Sequence, residues 1–557
     1  MKIAITQLNY HIANFEKNLN AMVKELRAAE KRGVDLILFS ELAVCGYPPL
    51  DLLEQSDFIE ACQASVKRFA ALTRETGVIV GAPALNPNER GKKLYNAAYL
   101  LHQGEIKAIR YKTLLPTYDI FDEYRYFEPN THFKTVSFKD KKIALTICED
   151  LWDDQPVASV RERSLLYRIS PMEQLQKQHP DLIVNISASP FAANRLEARD
   201  QVMQDHAKKQ GIPLFYANQV GAHTELIFDG GSMVLDASGE KRDQFTPFTE
   251  ETRDYRLEDL FQPGATGAAT EKPVQYSEEY RIEMIYRALI FGIRDFFAKM
   301  NFKGATLGLS GGIDSAVTLV LASEALGCEN IHVLLLPSKY SSAHSITDSV
   351  VLARNLNIKW SKVEIEPVVQ SVNQQMAPLF KEYAPDITEE NIQARARGLM
   401  LMALANKTGY ILLNTSNKSE AAVGYATLYG DMNGGLSVLG DVYKSDVYRL
   451  ARHINREREI IPESILRKPP SAELRPDQKD SDSLPDYEVL DTILYRYIEQ
   501  KDPVAEIAAS GFPEATVKKV ISLVNRSEFK RFQAPPILRV SSKAFGIGRR
   551  MPLVAKY

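Results

Sequence analysis

The chain has 557 residues, 45% hydrophobic and 25% charged, and its 68 basic and 71 acidic side chains leave a formal net charge of −3. That length exceeds what one hydrophobic core serves and calls for two domains. The near-balanced charge gives no electrostatic ground for general binding to nucleic acid or to an anionic membrane, and no apolar run approaches the ~18 residues that span a bilayer.

Lys2-Ile3-Ala4-Ile5-Thr6-Gln7 reads as a strand and lacks the basic start, apolar stretch and small-residue cleavage site of a signal peptide. Phe15, Leu19, Met22, Val23 and Leu26 share one helical face, and Asp35–Phe39 follows as a buried strand. Gly77–Gly81, Lys142–Ile147 and Leu182–Asn185 are further strands, so residues 1–245 alternate strand and helix as a first domain. Residues 246–275 lose this pattern and are rich in turn and acidic side chains, which predicts a linker. An amphipathic helix begins near Tyr280, and a second α/β alternation makes 276–557 the second domain. The stretch 468–486, dense in Pro, Asp, Ser and Lys, predicts a mobile surface loop. Four scattered cysteines (Cys45, Cys62, Cys148, Cys328), none in a CxxC pair, imply reduced thiols and a cytoplasmic setting.

Three residues stand just past predicted strands, where α/β folds present side chains to a shared crevice. Glu41 follows Leu38-Phe39-Ser40, Lys112 follows Ala108-Ile109-Arg110-Tyr111, and Cys148 follows Leu145-Thr146-Ile147. A free thiol of pKa ~8.5 is only about 3% thiolate at neutral pH, a shortfall of ~2 kcal/mol. A carboxylate can take the thiol proton during attack, and an ammonium can steady the thiolate and the oxyanion that follows. Amide hydrolysis through a thioester needs these three functions, although the spacing alone does not bring them together.

The wording around them carries more. Phe39-Ser40-Glu41-Leu42-Ala43-Val44-Cys45-Gly46-Tyr47-Pro48, Tyr111-Lys112-Thr113-Leu114-Leu115-Pro116 and Ile147-Cys148-Glu149-Asp150-Leu151-Trp152 resemble, in order, the signature blocks of the carbon–nitrogen hydrolase (nitrilase) superfamily. The resemblance implies Glu41 as proton acceptor, Lys112 as cationic support and Cys148 as nucleophile, on an α-β-β-α sandwich. The glutaminase branch is the nearest in wording. There Tyr118, Glu149, Ser189 and Arg195 match positions that hold the head group of L-glutamine, a zwitterion that needs both donors and acceptors. His223-Thr224 departs from the Asn-Asp or Asn-Glu pair of that branch.

In the second half, Ala305–Leu309 reads as a strand and Ala316–Ala322 as a helix, with Ser310-Gly311-Gly312-Ile313-Asp314-Ser315 between them. Consecutive glycines let backbone N–H groups turn toward an anion above the helix N-terminus, and Asp314 can help hold Mg²⁺ against phosphates. The loop lacks the GxxxxGK[ST] pattern of ordinary P-loop enzymes. It is similar to the loop of the ATP pyrophosphatase superfamily, whose fold is a doubly wound parallel α/β sheet, and this implies ATP binding by Gly308, Leu309, Ser310, Gly311, Gly312, Ile313, Asp314 and Ser315.

That loop leaves the acceptor open, because synthetases acting on nucleobases, amino acids and tRNA carry similar ones. Leu336–Ser342, Thr388–Arg395 and Asn414–Glu420 resemble NAD synthetase blocks. Asp441–Ser445, Pro470–Leu474 and Ser527–Arg531 resemble further blocks of the same family, and on that resemblance Thr415, Lys444 and Ser471 meet ATP; Asn391, Glu420 and Lys530 meet deamido-NAD; and Asp314 with Glu420 holds Mg²⁺. The whole implies ATP-dependent amidation of deamido-NAD with ammonia from glutamine, an internal passage for that ammonia, and a homo-oligomer. Two alternatives stand beside it: an amidotransferase for another carboxylate or nucleobase, and a catalytically silent nucleotide sensor.

Overall fold

A computed structural model of the chain describes residues 1–153, 166–261, 275–471, 473–476, 478, 480–482 and 484–556. It divides into two compact units, Met1–Tyr276 and Ser277–Tyr557.

The first unit stacks two six-stranded sheets. One runs in the order β14-β1-β2-β3-β4-β5, from β1 (Lys2–Gln7), β2 (Leu36–Leu38), β3 (Gly77–Leu85), β4 (Leu94–His102), β5 (Glu105–Tyr111) and β14 (Glu251–Arg256). The other runs β13-β12-β9-β8-β7-β6, from β6 (Val136–Phe138), β7 (Lys141–Ile147), β8 (Leu182–Ile186), β9 (Leu214–Ala217), β12 (Met233–Leu235) and β13 (Lys241–Gln244). A hairpin of β10 (Val220–His223) and β11 (Leu226–Asp229) stands apart from both. Side chains alternate across each strand, so Ile3, Ile5, Leu36, Leu38 and Leu100 meet Ile143, Leu145, Ile147, Val184 and Phe215 between the sheets. The opposite faces bury Ala4, Ile37 and Val80 against the helices Phe15–Lys31 and Ser56–Leu72, and Ala144, Ile183 and Tyr216 against Met172, Val202 and Met203. The result is the expected α-β-β-α sandwich.

Two sequence expectations are corrected here. Residues 251–256, placed in the linker for their polarity, form β14, which pairs antiparallel with β1 from Lys2↔Arg256 to Gln7↔Glu251. Its charges are answered across the surface, Asp254 by Arg32 at 2.8 Å and Arg253 by Asp243 at 2.7 Å. Residues 262–274, the rest of the linker, lie outside the described residues. The described residues of the polar stretch 468–486 are also tied down. Lys468 Nζ lies 2.7 Å from Glu473, and Asp480 is buried and accepts the Tyr487 hydroxyl at 2.8 Å.

The second unit is a five-stranded parallel sheet in the order β17-β16-β15-β18-β19, from β15 (Ala305–Gly308), β16 (Ile331–Leu335), β17 (Lys359–Lys362), β18 (Ile411–Asn414) and β19 (Leu436–Ser437). The order reverses at β15, and such a switch point leaves a crevice at the carboxyl ends of the strands. Among the described residues, no helix is long and apolar enough to cross a membrane.

Candidate active site

In the first unit the three strand-end residues converge. Lys112 Nζ donates to Glu41 Oε1 at 2.7 Å, and both side chains are fully buried. Glu41 is held from two more sides: Asn96 Nδ2 donates to Oε1 at 2.7 Å and the Ala188 N–H donates to Oε2 at 2.9 Å. Its backbone lies against β3, where Gly81 N–H donates to Ser40 O at 3.1 Å. A Cβ on Gly81 would stand 2.3 Å from Leu42 N, so only glycine permits that approach.

Lys112 has a second carboxylate, Glu123, at 2.8 Å, and Glu123 also accepts the Tyr47 hydroxyl at 3.0 Å. Burial opposes the charge on Lys112, but Glu123 and Glu41 outweigh it and its pKa lies well above the ordinary value. Burial pushes the Glu123 carboxyl up, the largest effect on it, while Lys112 pulls the other way.

Cys148 follows β7 directly and opens a short 3-10 turn, Cys148–Leu151, with φ of 45°. That left-handed conformation is costly for a residue with a Cβ, and such strain collects at reactive turns. The thiol is buried and its pKa is raised, first by desolvation and then by the Glu41 charge, with Lys112 opposing. Burial therefore favours the neutral thiol, with the Glu41 carboxylate close enough for its charge to bear on the sulfur.

Beside the thiol, Glu149 Oε1 accepts the hydroxyls of Tyr118 at 2.9 Å and Tyr167 at 2.8 Å. The Arg195 charge bears on both Tyr118 and Glu149. The Ser189 N–H donates to Asn218 Oδ1 at 2.9 Å. A carboxylate, a phenol and a guanidinium near one thiol have the donors and acceptors that an ammonium–carboxylate head group needs.

In the second unit a cavity of about 300 Å³ opens at the ends of β15, β16 and β18. Gly308, Leu309, Ser310, Gly312, Ile313, Asp314, Ser315, Thr415, Glu420, Lys444 and Ser471 are among the residues that line it. Ser310 Oγ accepts the Gly312 N–H at 3.2 Å and stands 3.1 Å from Ser315 Oγ, which fixes the loop above the helix Ile313–Leu326. Gly311 is not among the lining residues but abuts Ser345, which is. Its φ is +77°, and a Cβ there would stand 2.5 Å from the backbone oxygen of Ser345.

Lys444 Nζ bonds Asp314 and lies 3.5 Å from Glu420, while Asn417 Nδ2 donates to Asp314 Oδ1 at 2.8 Å. Burial, then the neighbouring Asp314 charge, raises the Glu420 carboxyl far above the usual range. Among the described residues no group of three or more His, Cys, Asp or Glu side chains could hold a metal. Two crowded carboxylates facing this cavity are nevertheless the kind of donor set that Mg²⁺ uses when it shares its shell with substrate phosphates.

Asn391 and Lys530 do not line this cavity. Both fasten the segment 424–431: Asn391 Oδ1 accepts the Thr427 hydroxyl at 2.8 Å, and Lys530 Nζ donates to Gly424 O at 2.8 Å and Ala426 O at 2.7 Å. That segment contributes Tyr425, Gly430 and Asp431 to the lining.

Sequence reasoning missed Glu123, Asn96, Tyr167 and Arg397. Asn96 alone carried a signal, since an amide inside the buried run Leu94–His102 demands a partner. Arg397 lines the second cavity and donates from Nε to Leu336 O at 3.0 Å.

A sandwich with a buried Cys, Glu and Lys, joined in one chain to a parallel sheet with a paired-glycine loop at a strand end, defines a two-part enzyme of hydrolase and synthetase units. The carbon–nitrogen hydrolase family model matches residues 2–258, and the NAD synthase family model matches residues 285–534. A glutamine-dependent NAD(+) synthetase of Synechocystis is 43% identical over 100% of this chain and 99% of its own length. One of Thermotoga maritima is 41% identical over 100% and 99%. Among solved structures, a glutamine-dependent NAD+ synthetase from Acinetobacter baumannii, in complex with ADP, matches with TM-score 0.76 and 35% identity over 99% of this chain and 98% of that one. One from Cytophaga hutchinsonii shares the fold, with TM-score 0.81 at 19% identity over 100% of this chain and 98% of that one. The chain belongs to the glutamine-dependent NAD(+) synthetases, ligases that take their amido nitrogen from glutamine.

Proposed function

We propose that Cys148, Glu41 and Lys112 form the glutaminase centre and that the cavity above Ser310–Ser315 binds ATP for adenylation of deamido-NAD. The observation that carries the first half is the buried Lys112–Glu41 contact beside a neutral, strained Cys148. In this reading Glu41 takes the thiol proton as Cys148 Sγ attacks the glutamine carboxamide, and Lys112 steadies the oxyanion. The proton passes to the leaving nitrogen, ammonia departs, and water releases glutamate from the thioester. Tyr118, Glu149, Ser189 and Arg195 hold the head group of the substrate.

The second half uses ammonia on an activated carboxylate. A carboxylate is a poor electrophile, so its oxygen attacks the α-phosphorus of ATP, pyrophosphate leaves, and ammonia then displaces AMP to give NAD. The N–H groups of the loop and the helix N-terminus receive the phosphates, and Thr415, Lys444 and Ser471 complete the nucleotide contacts. Asp314 and Glu420 would hold Mg²⁺, which supplies charge neutralisation for the departing pyrophosphate. Asn391 and Lys530 act through the segment 424–431 on the deamido-NAD side. A homo-oligomer and a cytoplasmic location belong to the same reading.

The test is product analysis with deamido-NAD and ATP, supplying glutamine or ammonium. Equal amounts of AMP, pyrophosphate and NAD are expected from either nitrogen source. Formation of ADP and phosphate would reject the adenylation step, and turnover of a different acceptor alone would reject deamido-NAD.

A further inference from the structure

Asp150 stands two residues beyond the nucleophile and is buried at 3% exposure, yet no step above uses it. Its Oδ1 accepts the N–H groups of Thr113 and Leu114, each at 2.9 Å, and its Oδ2 accepts the N–H of Ile147 at 3.0 Å. One carboxylate thus ties the segment immediately after Lys112 to the strand end immediately before Cys148. The Lys112 segment is held on its other side by backbone bonds to Asn96 O at 2.8 Å and from Asn130 N at 3.0 Å.

We propose that Asp150 is a positioning residue of the amidase centre, setting where Lys112 Nζ stands relative to Cys148 Sγ and holding the left-handed turn at Cys148. The inference rests on the Cys148–Glu41–Lys112 reading. The chemistry of the acceptor is specific: three N–H donors converge on two oxygens, and both oxygens must accept. Asparagine has the same size but only one accepting atom, so its NH₂ group must face at least one N–H across a hydrogen-bond distance. Either the Lys112 segment or the nucleophile turn then shifts. A displacement of about 1 Å of a reacting group costs on the order of 100-fold in rate.

The experiment uses the full chain with D150N, D150E and, as floor, C148A. For D150N the kcat of glutamine-driven NAD formation falls about 100-fold, while KM for glutamine changes several-fold less than kcat. Alkylation of Cys148 by iodoacetamide, followed at the peptide level per folded molecule, slows in the same variant. D150E returns the carboxylate one methylene away and recovers part of the rate. Wild-type kcat and Cys148 reactivity in D150N overturn the inference, as does a fall confined to KM or to the folded fraction. If D150N does not fold, D150E decides alone: a displaced carboxylate must lower kcat, and a wild-type kcat overturns the inference. Retention of glutamine-driven synthesis by C148A is a separate outcome that removes the reading beneath it.

Discussion

Lys112 Nζ and Glu41 Oε1 meet at 2.7 Å although 71 positions separate the two residues in the chain. With Glu123 also against the ammonium, one buried cation holds two carboxylates together. Removing one partner of such a group leaves uncompensated buried charge, which costs far more than the pair's net contribution to stability.

The variant K112M should therefore lose about 3–5 kcal/mol of unfolding free energy in the first unit, as well as glutamine-driven activity. Denaturant titration measures the stability term. A loss below about 1 kcal/mol would mean that Glu41 and Glu123 are solvated and that the pair is a surface bridge.

Gly81 sets a steric condition on the same site. In G81A the new methyl meets Leu42 N at 2.3 Å, so the turn carrying Glu41 must retreat. We expect glutamine-driven kcat to fall on the order of 100-fold, with about 1–3 kcal/mol of destabilisation from overpacking. Steady-state kinetics with glutamine, set beside a thermal melt, would show both.

The nucleotide loop offers the complementary case. Gly311 has φ of +77° and no room for a Cβ against Ser345 O. G311A should depress AMP formation with glutamine and with ammonium alike while sparing release of glutamate from glutamine. Unchanged AMP formation would show that the loop does not receive the phosphates.

Burial, and then the Glu41 charge, raises the Cys148 thiol well above its ordinary pKa. A raised acid is protonated below its pKa, so the resting enzyme carries no thiolate at neutral pH, and thiolate appears only as pH climbs past the ordinary value. Far-UV thiolate absorbance, taken as wild type minus C148A, should be flat through neutrality and rise only in strong alkali. A plateau reached below neutral pH would indicate a standing thiolate–lysine pair instead of proton transfer to Glu41.

Strand ends were legible because buried strands are short apolar runs: Glu41 and Cys148 each follow such a run, while Lys112 follows the more polar, half-exposed strand Glu105–Tyr111. What escaped notice was polarity that is satisfied only in three dimensions. The alternation in Glu251–Arg256 is hidden because an edge strand half-exposes every residue, and its charges pair with Arg32 and Asp243 from distant segments. Glu123 reads as surface charge beside Asp122 and Tyr124, and nothing local shows that Lys112 and Tyr47 enclose it. Tyr167 was missed for the same reason, since its contact with Glu149 crosses 18 positions without a repeat to mark it. The loop Ser310–Ser315 was readable outright because strand, paired glycines and helix are contiguous, and such local grammar survives folding.

The division of labour between the two units is tested most directly by C148A, assayed for NAD formation from deamido-NAD and ATP. With ammonium as nitrogen source the variant should match wild type; with glutamine it should produce none. Equal loss with both sources, or glutamine-driven synthesis that persists without the thiol, would contradict the assignment of Cys148 as the nucleophile that supplies ammonia.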